Sequence, residues 1–431
     1  MLSRVRSGLR ENYSGMPREV FVLTSVAFCV AVGFGMFLPV ITIFAKEFGV
    51  SDFAASFIVS IFAAARLVST GPAAWMTNRF GEAKVLAAGL AIVAATSVMV
   101  GLSRSYTEFL IWRTAGGLGS AMFTVSALAL LLRVTPSHLR GRASGLYQGG
   151  FVLGNIAGPG IGALFAFSLR LPFFVNAGML VIASTVTMLM LLHARFAVEE
   201  PAPGDASANA ADANPLEDLR GARGLRHGLG MPVYRLVVIT SLVQGFVLFG
   251  LRNALVPLFA DHQLSSVRLS SYAFGLGALT NATLLYVAGR TSDLRGRKPA
   301  FVLGATFMFT GTALLAAPPS VVTFLISAAC FGAGGSFIGA SSPAMLGDVT
   351  RGARGGVLIA AYQGVGDLGA ILGPLAGGLI LEQTGSYAWT FGFAAAIVGC
   401  VVLLGLSTPE SRAGMRGTKS AVTQSSVPTH E

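Results

Sequence analysis

Residues 147–163 read YQGGFVLGNIAGPGIGA, and residues 362–378 read YQGVGDLGAILGPLAGG. Tyr147-Gln148-Gly149 returns as Tyr362-Gln363-Gly364. Gly154, Gly158, Pro159 and Gly162 return as Gly369, Gly373, Pro374 and Gly377, each pair 215 positions apart. The same offset carries Gly81 to Gly296, Gly117 and Gly119 to Gly332 and Gly334, and Val134-Thr135 to Val349-Thr350. Chance matches among glycine-rich segments scatter over many offsets. One offset held over about 90 positions marks an internal repeat.

What repeats is apolar. Of 431 residues, 53% are hydrophobic and 11% charged, with a mean hydropathy of +0.70, whereas soluble domains carry about 25% charged residues. The charges cluster between apolar runs of about 20 residues or more, enough to cross a bilayer as helix. Twelve spans are predicted: 19–46, 52–77, 84–104, 106–133, 141–168, 171–193, 233–260, 269–290, 299–317, 319–346, 355–383 and 386–407. The expected fold is all-α and polytopic, with two parallel six-helix repeats. Its parts are an N-terminal tail at 1–18, a six-helix bundle at 19–193, a linker at 194–232, a second bundle at 233–407 and a C-terminal tail at 408–431. The linker stretch Glu199–Pro215, rich in Ala, Asp and Pro, reads as disordered. Leu216–Gly230 reads either as a short basic helix on the inner leaflet or as an unstructured tether.

The net charge of +11 invites a nucleic-acid reading, but the distribution of the bases argues against it. With a cytoplasmic N-terminus, 23 of the 30 Lys and Arg fall on the inner side, four on the outer side and three within spans. That asymmetry is the positive-inside pattern, so both termini are expected in the cytoplasm and no nucleic-acid partner is expected. The first apolar run is of spanning length and reads as a retained helix, not a cleaved signal. Only four of the 30 bases are Lys, a bias pointing to a GC-rich genome and a bacterial cytoplasmic membrane. Cys29, Cys330 and Cys400 fall in apolar spans and are expected reduced; their spacing suggests neither a disulfide nor a metal site.

Between the eighth and ninth spans the chain reads Gly289-Arg-Thr-Ser-Asp293-Leu-Arg-Gly296-Arg297-Lys298. This resembles the G-x-x-x-D-x-x-G-R-K signature of the major facilitator superfamily. The resemblance implies a conformational latch formed by Asp293, Gly296, Arg297 and Lys298. The matching loop after the second span keeps Arg79 and Gly81, but has Asn78 where the family has Asp and Glu82 where it has a base. A neutral Asn cannot make the charge-assisted contact of an Asp, so the latch there is expected to be weaker or differently wired. Gly154-x3-Gly158-Pro159-x2-Gly162-Ala163, and its fuller copy Gly369-x3-Gly373-Pro374-x2-Gly377-Gly378, resemble the helix-bend motif of the twelve-helix drug:proton antiporters. Ordinary small-residue packing also explains part of that pattern. Arg113-Thr-Ala-Gly116-Gly117-Leu-Gly119-Ser-Ala121 is similar to a further stretch of the superfamily, with Gly116 in place of Gln. By that resemblance Arg113 serves proton coupling or substrate contact. Alternatively it snorkels to the outer interface, since it lies a turn or two from the helix end.

The charges inside the spans suggest the mechanism. Arg66, Arg113 and Arg252 are the bases there, and Asp367 is the clear carboxylate. Intramembrane ionisable groups are costly and mark pathways or proton relays. These four are therefore the candidates for proton coupling or substrate contact. Arg66 and Asp367, both near mid-depth, are expected either to pair in one conformation and separate in the other, or to form a permanent ion pair. Gln148, Gln244, Asn253, Asn281 and Gln363 are polar candidates for the cavity lining, and Phe34, Phe37, Trp112 and Phe249 are aromatic ones. No metal cluster, cofactor motif, ATP site or catalytic constellation is found, so no cofactor and no enzyme activity are expected. The reading is a monomeric, bilayer-embedded secondary transporter, exporting small molecules by proton-coupled alternating access. The alternatives are an uptake symporter or facilitator for an organic anion, favoured by three bases against one acid, and a non-transporting membrane sensor.

Overall fold

A computed structural model describes residues 16–136, 139–165, 167–193, 222–350 and 356–411. Among them there is no strand. The elements are α1 Arg18–Phe37, α2 Ile41–Lys46, α3 Asp52–Phe80, α4 Glu82–Leu102, α5 Tyr106–Val134, α6 Arg140–Leu164 and α7 Leu171–His193. After a short helix α8 Ala222–Gly230 come α9 Pro232–Leu264, α10 Val267–Leu294, α11 Arg297–Ala316, α12 Val321–Thr350, α13 Gly356–Thr384 and α14 Tyr387–Ser407. Among the described residues, ten helices are long and apolar enough to cross a membrane. The remaining two long ones, α6 and α10, have 25 and 28 residues but a more polar composition. Twelve of the described helices are thus of spanning length and ten of them are also apolar enough, so the expected count of twelve spans is not matched exactly. The tail 1–15, linker residues 194–221, and the C-terminal segment from 412 lie outside the described residues.

Two spans depart from uniform α-helix. The first predicted span breaks between α1 and α2 at Leu38–Val40, where Pro39 lacks the N–H that would continue the helix. The seventh span contains a π-helical turn, Gly245–Leu251, inside α9; such turns insert a residue into the helical ladder and are frequent at functional sites. The helix pairs α3–α4 and α10–α11 are joined through Gly81 (φ 90°) and Gly296 (φ 111°), a backbone conformation that favours glycine.

The described residues cluster into two compact units. The first draws on 1–50, 61–197 and 266–275. Within it α1 packs along α6 and α7, and α4 packs along α5 and α7. The α1–α6 seam is backbone to backbone: a Cβ on Gly154 would stand 2.6 Å from the Phe28 carbonyl oxygen, and one on Gly158 2.6 Å from that of Val32. The second unit draws on 51–60, 198–265 and 276–431. There α13 meets the π turn of α9 through Gly369 and Gly373 in the same way, and α11 packs on α12 and α14. Each unit also takes in the first turns of a helix from the other half of the sequence. The start of α3 belongs with the second unit, where Ser51 Oγ and the Phe53 N–H both donate to Glu382 Oε2, at 2.8 and 3.2 Å. The start of α10 belongs with the first, where Ser270 Oγ donates to the Pro39 carbonyl at 3.0 Å.

Candidate functional site

Two constellations in the first unit and two in the second carry buried or clustered charge. The first centres on Arg113, in the second turn of α5. Its side chain is 7% exposed, so of the two sequence readings the structure has it inside the bundle. The guanidinium carbon lies 4.3 Å from the Phe62 ring centroid and 5.2 Å from that of Phe37. Cation–π contact stabilises a desolvated Arg by about 2 kcal/mol, less than the ~3 kcal/mol or more of placing it in hydrocarbon. Nε is fully buried without a hydrogen-bond partner. Arg113 lines a small cavity, with room for about one water-sized group, together with Phe34, Phe37, Phe62, Trp112 and Phe173. Thr96 and Ser97 of α4 form its polar wall; both hydroxyls donate back to carbonyls of their own helix, at 2.9 and 2.7 Å. Asn176 Nδ2 donates to Ser97 Oγ at 2.9 Å. Behind the cavity, the rings of Phe44, Phe109 and Phe173 pack together at centroid distances of 5.2 to 6.5 Å.

In the second unit Arg252 occupies the corresponding place by a different route. Under the 215-residue offset Phe37 corresponds to Arg252, Phe62 to Gly277, Arg113 to Ala328 and Gly116 to Phe331. Arg252 extends from α9, so that Nη2 lies 3.1 Å from where a Cβ on Gly277 would be, and its guanidinium lies 5.9 Å from the Phe331 ring centroid. The arginine has changed helix, and both units keep a guanidinium beside the same position of the second repeat helix.

The loop ends form the other two constellations. In the second unit Arg297 Nη1 donates to Asp293 Oδ1 at 2.5 Å and to Ser292 Oγ at 3.1 Å, while Nε faces Asp348 Oδ2 at 3.6 Å. Glu410, after α14, accepts the Arg297 and Lys298 backbone N–H groups at 2.9 and 3.1 Å. It thereby caps the positive N-terminus of α11. A Cβ on Gly296 would stand 2.7 Å from Glu410 Oε2, a second reason for glycine there. Lys298 Nζ donates to the Leu406 carbonyl at 2.6 Å, and Ser411 Oγ to Asp348 Oδ2 at 3.2 Å. In the first unit Arg133 Nη1 donates to Glu82 Oε2 at 2.6 Å. Glu82 and Arg133 are the 215-offset counterparts of Arg297 and Asp348. The same ion pair is therefore built in both units with its sign reversed. Asn78 and Arg79 are exposed near the end of α3.

The other sequence-predicted residues fall as follows. Arg66 and Asp367 are half-buried near the middle of α3 and α13. Gln148 and Gln363 are exposed and Gln244 is half-buried. Asn253 Nδ2 donates to the Phe249 carbonyl at 2.9 Å, and Asn281 Nδ2 to that of Gly332 at 3.2 Å, so both amides brace helices. Phe34, Phe37 and Trp112 join the Arg113 cavity, whereas Phe249 is exposed on the π turn. Cys29, Cys330 and Cys400 are unpaired. Sequence reasoning missed Phe62, Phe173, Asp348 and Glu410. The offset was the available signal for Asp348, because it pairs Glu82–Arg133 with Arg297–Asp348.

The sequence profile of the Major Facilitator Superfamily matches residues 23–282 and 237–428. Multidrug resistance protein 2 of Bacillus subtilis is 25% identical over 389 residues, covering 88% of this chain and 92% of that protein. Quinolone resistance protein NorA of Staphylococcus aureus is 25% identical over 179 residues, 41% of this chain and about half the length (46%) of that relative. Among solved structures, a bacterial homologue of the human lysosomal transporter Spinster, in an inward-facing and unoccupied conformation, aligns with a TM-score of 0.68 at 15% identity. The alignment covers 91% of this chain and 96% of that one. At that identity the likeness concerns the fold.

Proposed function

The chain belongs to the Major Facilitator Superfamily, and on that premise we propose that it exports small molecules across a bacterial cytoplasmic membrane in exchange for protons. The observation that carries this reading is the match to a multidrug resistance protein along nearly the whole of both chains. The duplicated Gly-x3-Gly-Pro seams on α6 and α13 support it. Asp367, twelfth of the 29 residues of α13, is the proposed proton carrier, since an ionisable group within a span marks a pathway or proton relay. Arg66, Arg113 and Arg252 are the proposed bases of the pathway. The cluster of Asp293, Gly296, Arg297 and Lys298 is the proposed latch that steadies one conformation. Both termini on the cytoplasmic side, the six-plus-six division at 19–193 and 233–407, and a monomeric working unit complete the proposal.

The test is reconstitution into liposomes with an imposed pH gradient. Proton counterflow should accompany substrate movement, and Asp367→Asn should abolish gradient-driven transport while substrate exchange persists. An Asp367→Asn protein with the native pH dependence would sink the proton-carrier role. A second reading, uptake or facilitated passage of an organic anion, is favoured by the three bases against one acid. In the same liposomes it predicts substrate moving with the protons, or independently of them.

A further inference from the structure

We propose that the Arg113 cavity is a recognition site for the carboxylate of an aromatic or other flat apolar organic anion. The inference rests on the transport reading and names the substrate class within it. A guanidinium cannot lose its proton inside a protein, and a buried cation without a counter-charge is strongly unfavourable. Arg113 is buried, its Nε has no partner, and no hydrogen bond or ion pair reaches it from any described residue. Its guanidinium carbon lies 5.2 Å from the Phe37 ring centroid and 4.3 Å from that of Phe62. Arg113 lines the cavity, and a guanidinium N–H facing that space is a donor matched to a carboxylate oxygen.

The walls define the rest of the ligand. The free space beside the guanidinium admits about one water-sized group, so one carboxylate oxygen enters and the body does not. Phe34 and Trp112 are only half-buried and provide an aromatic way in, on which a flat apolar body stacks. A cation meets the Arg113 charge and is repelled. The Thr96 and Ser97 hydroxyls, whose hydrogens go to their own helix, present oxygens. They suit a ligand that carries an O–H or N–H beside its carboxylate.

The experiment uses the full chain purified in detergent. Exposed Trp75 and Trp389 are changed to Phe, which leaves Trp112 as the fluorescent reporter at the cavity. Benzoate, its neutral isostere benzamide and the cation benzylamine are titrated separately. Benzoate should change Trp112 emission saturably and bind at least about tenfold more tightly than benzamide, with benzylamine weakest. Arg113→Gln should weaken benzoate by about tenfold or more and leave benzamide unchanged; Arg113→Lys, which keeps charge and loses the fork, should fall between. Equal binding of benzoate and benzamide overturns the proposal, as does an Arg113→Gln protein that binds benzoate normally. If Arg113→Gln does not fold, the benzoate–benzamide comparison on the Arg113 protein still decides. Chloride replacing gluconate at constant ionic strength separates an organic carboxylate from a bare halide: chloride binding as tightly as benzoate overturns the assignment. Because binding is read without a membrane, a chain that discriminates in this way but moves nothing in liposomes refutes transport alone. One that transports but does not discriminate refutes this site alone.

Discussion

Exchanging the signs of the two repeat-related ion pairs should be tolerated in the first unit and not in the second. The Arg133–Glu82 pair is shallow, with side-chain exposures of 53% and 20%, so breaking it costs about 0.5–1 kcal/mol. Arg133→Asp alone also places two carboxylates together, for about 1 kcal/mol in all. The double change E82R/R133D restores a pair, and neutral Asn78, four residues before position 82, accepts either sign. In the second unit Arg297 and Asp348 are only 15% and 7% exposed. Losing one partner of so buried a pair costs about 3 kcal/mol. The double change R297E/D348R remakes that pair, but leaves Glu at 297 four residues after Asp293 and close to Glu410. A deficit of about 1.5 kcal/mol should persist, made up of the lost Asp293 contact and the new repulsion. The assay is the half-life of the folded protein in detergent at a fixed elevated temperature, read by size exclusion, because unfolding of such proteins is governed by rate. At 1.4 kcal/mol per factor of ten, R133D should shorten it about fivefold and E82R/R133D should recover it. R297E should shorten it about a hundredfold, and R297E/D348R should remain about tenfold short, of which adding Asp293→Asn should recover about twofold, the share due to its repulsion. Full recovery by R297E/D348R alone, or no recovery by E82R/R133D, would refute the account of Asn78 and Asp293 as sign-setting residues.

Gly158→Val should prevent or strongly impair folding, because its Cβ meets the Val32 carbonyl and the Gly35 backbone, which cannot give way; the cost is about 3 kcal/mol. Gly160→Val, with open space at its Cβ, should cost well under half of that, and the yield of monodisperse protein separates the two. Glu410→Ala should remove the cap on α11, at about 1 kcal/mol. Hydrogen exchange should accelerate at the Arg297 and Lys298 amides, about fivefold, and stay unchanged in the middle of α11.

Most of the fold was legible because its cause is written locally. Runs of spanning length, broken by charged turns and repeated at one offset, leave few arrangements open. The breaks inside spans were less legible. The predicted first span ran unbroken through Pro39, where the chain breaks, and the π turn at Gly245–Leu251 coincides with the close approach of α9 to Gly369 and Gly373 of α13, over 120 residues away in sequence. At the sites, ionisable residues in apolar spans announced themselves, so Arg113 and Arg252 were identified. Their aromatic partners were not, because Phe62 and Phe173 look like any other Phe in an apolar helix. Glu82 was recognised as a departure from the family pattern. Its partner was hidden because Arg133 lies at the far end of the next helix, and only folding brings the two ends together.

The disagreements between the repeats therefore have to be weighed in sets. Position by position, Arg113 against Ala328 suggests that the second half lacks a buried base on this face. The structure makes it one member of a four-part exchange. Ala328 removes the guanidinium from the first-half position, Gly277 clears the space that Phe62 fills, Arg252 enters that space from α9, and Phe331 supplies an aromatic face where Gly116 has none. The loop pairs follow the same logic: Glu82 in place of a base would be a defect beside an Asp at 78 and a carboxylate at 133, and is a sound ion pair beside Asn78 and Arg133. In both cases the physical requirement, a guanidinium beside the second repeat helix or a bridge between neighbouring helix ends, is met in each unit by different residues. What differs between the units is the surroundings of each charge. Arg113 lies beside two rings and lines a small cavity, and Arg252 lies against a glycine and one more distant ring. That difference in surroundings, more than the presence or absence of a charge, is the asymmetry on which selectivity can be built.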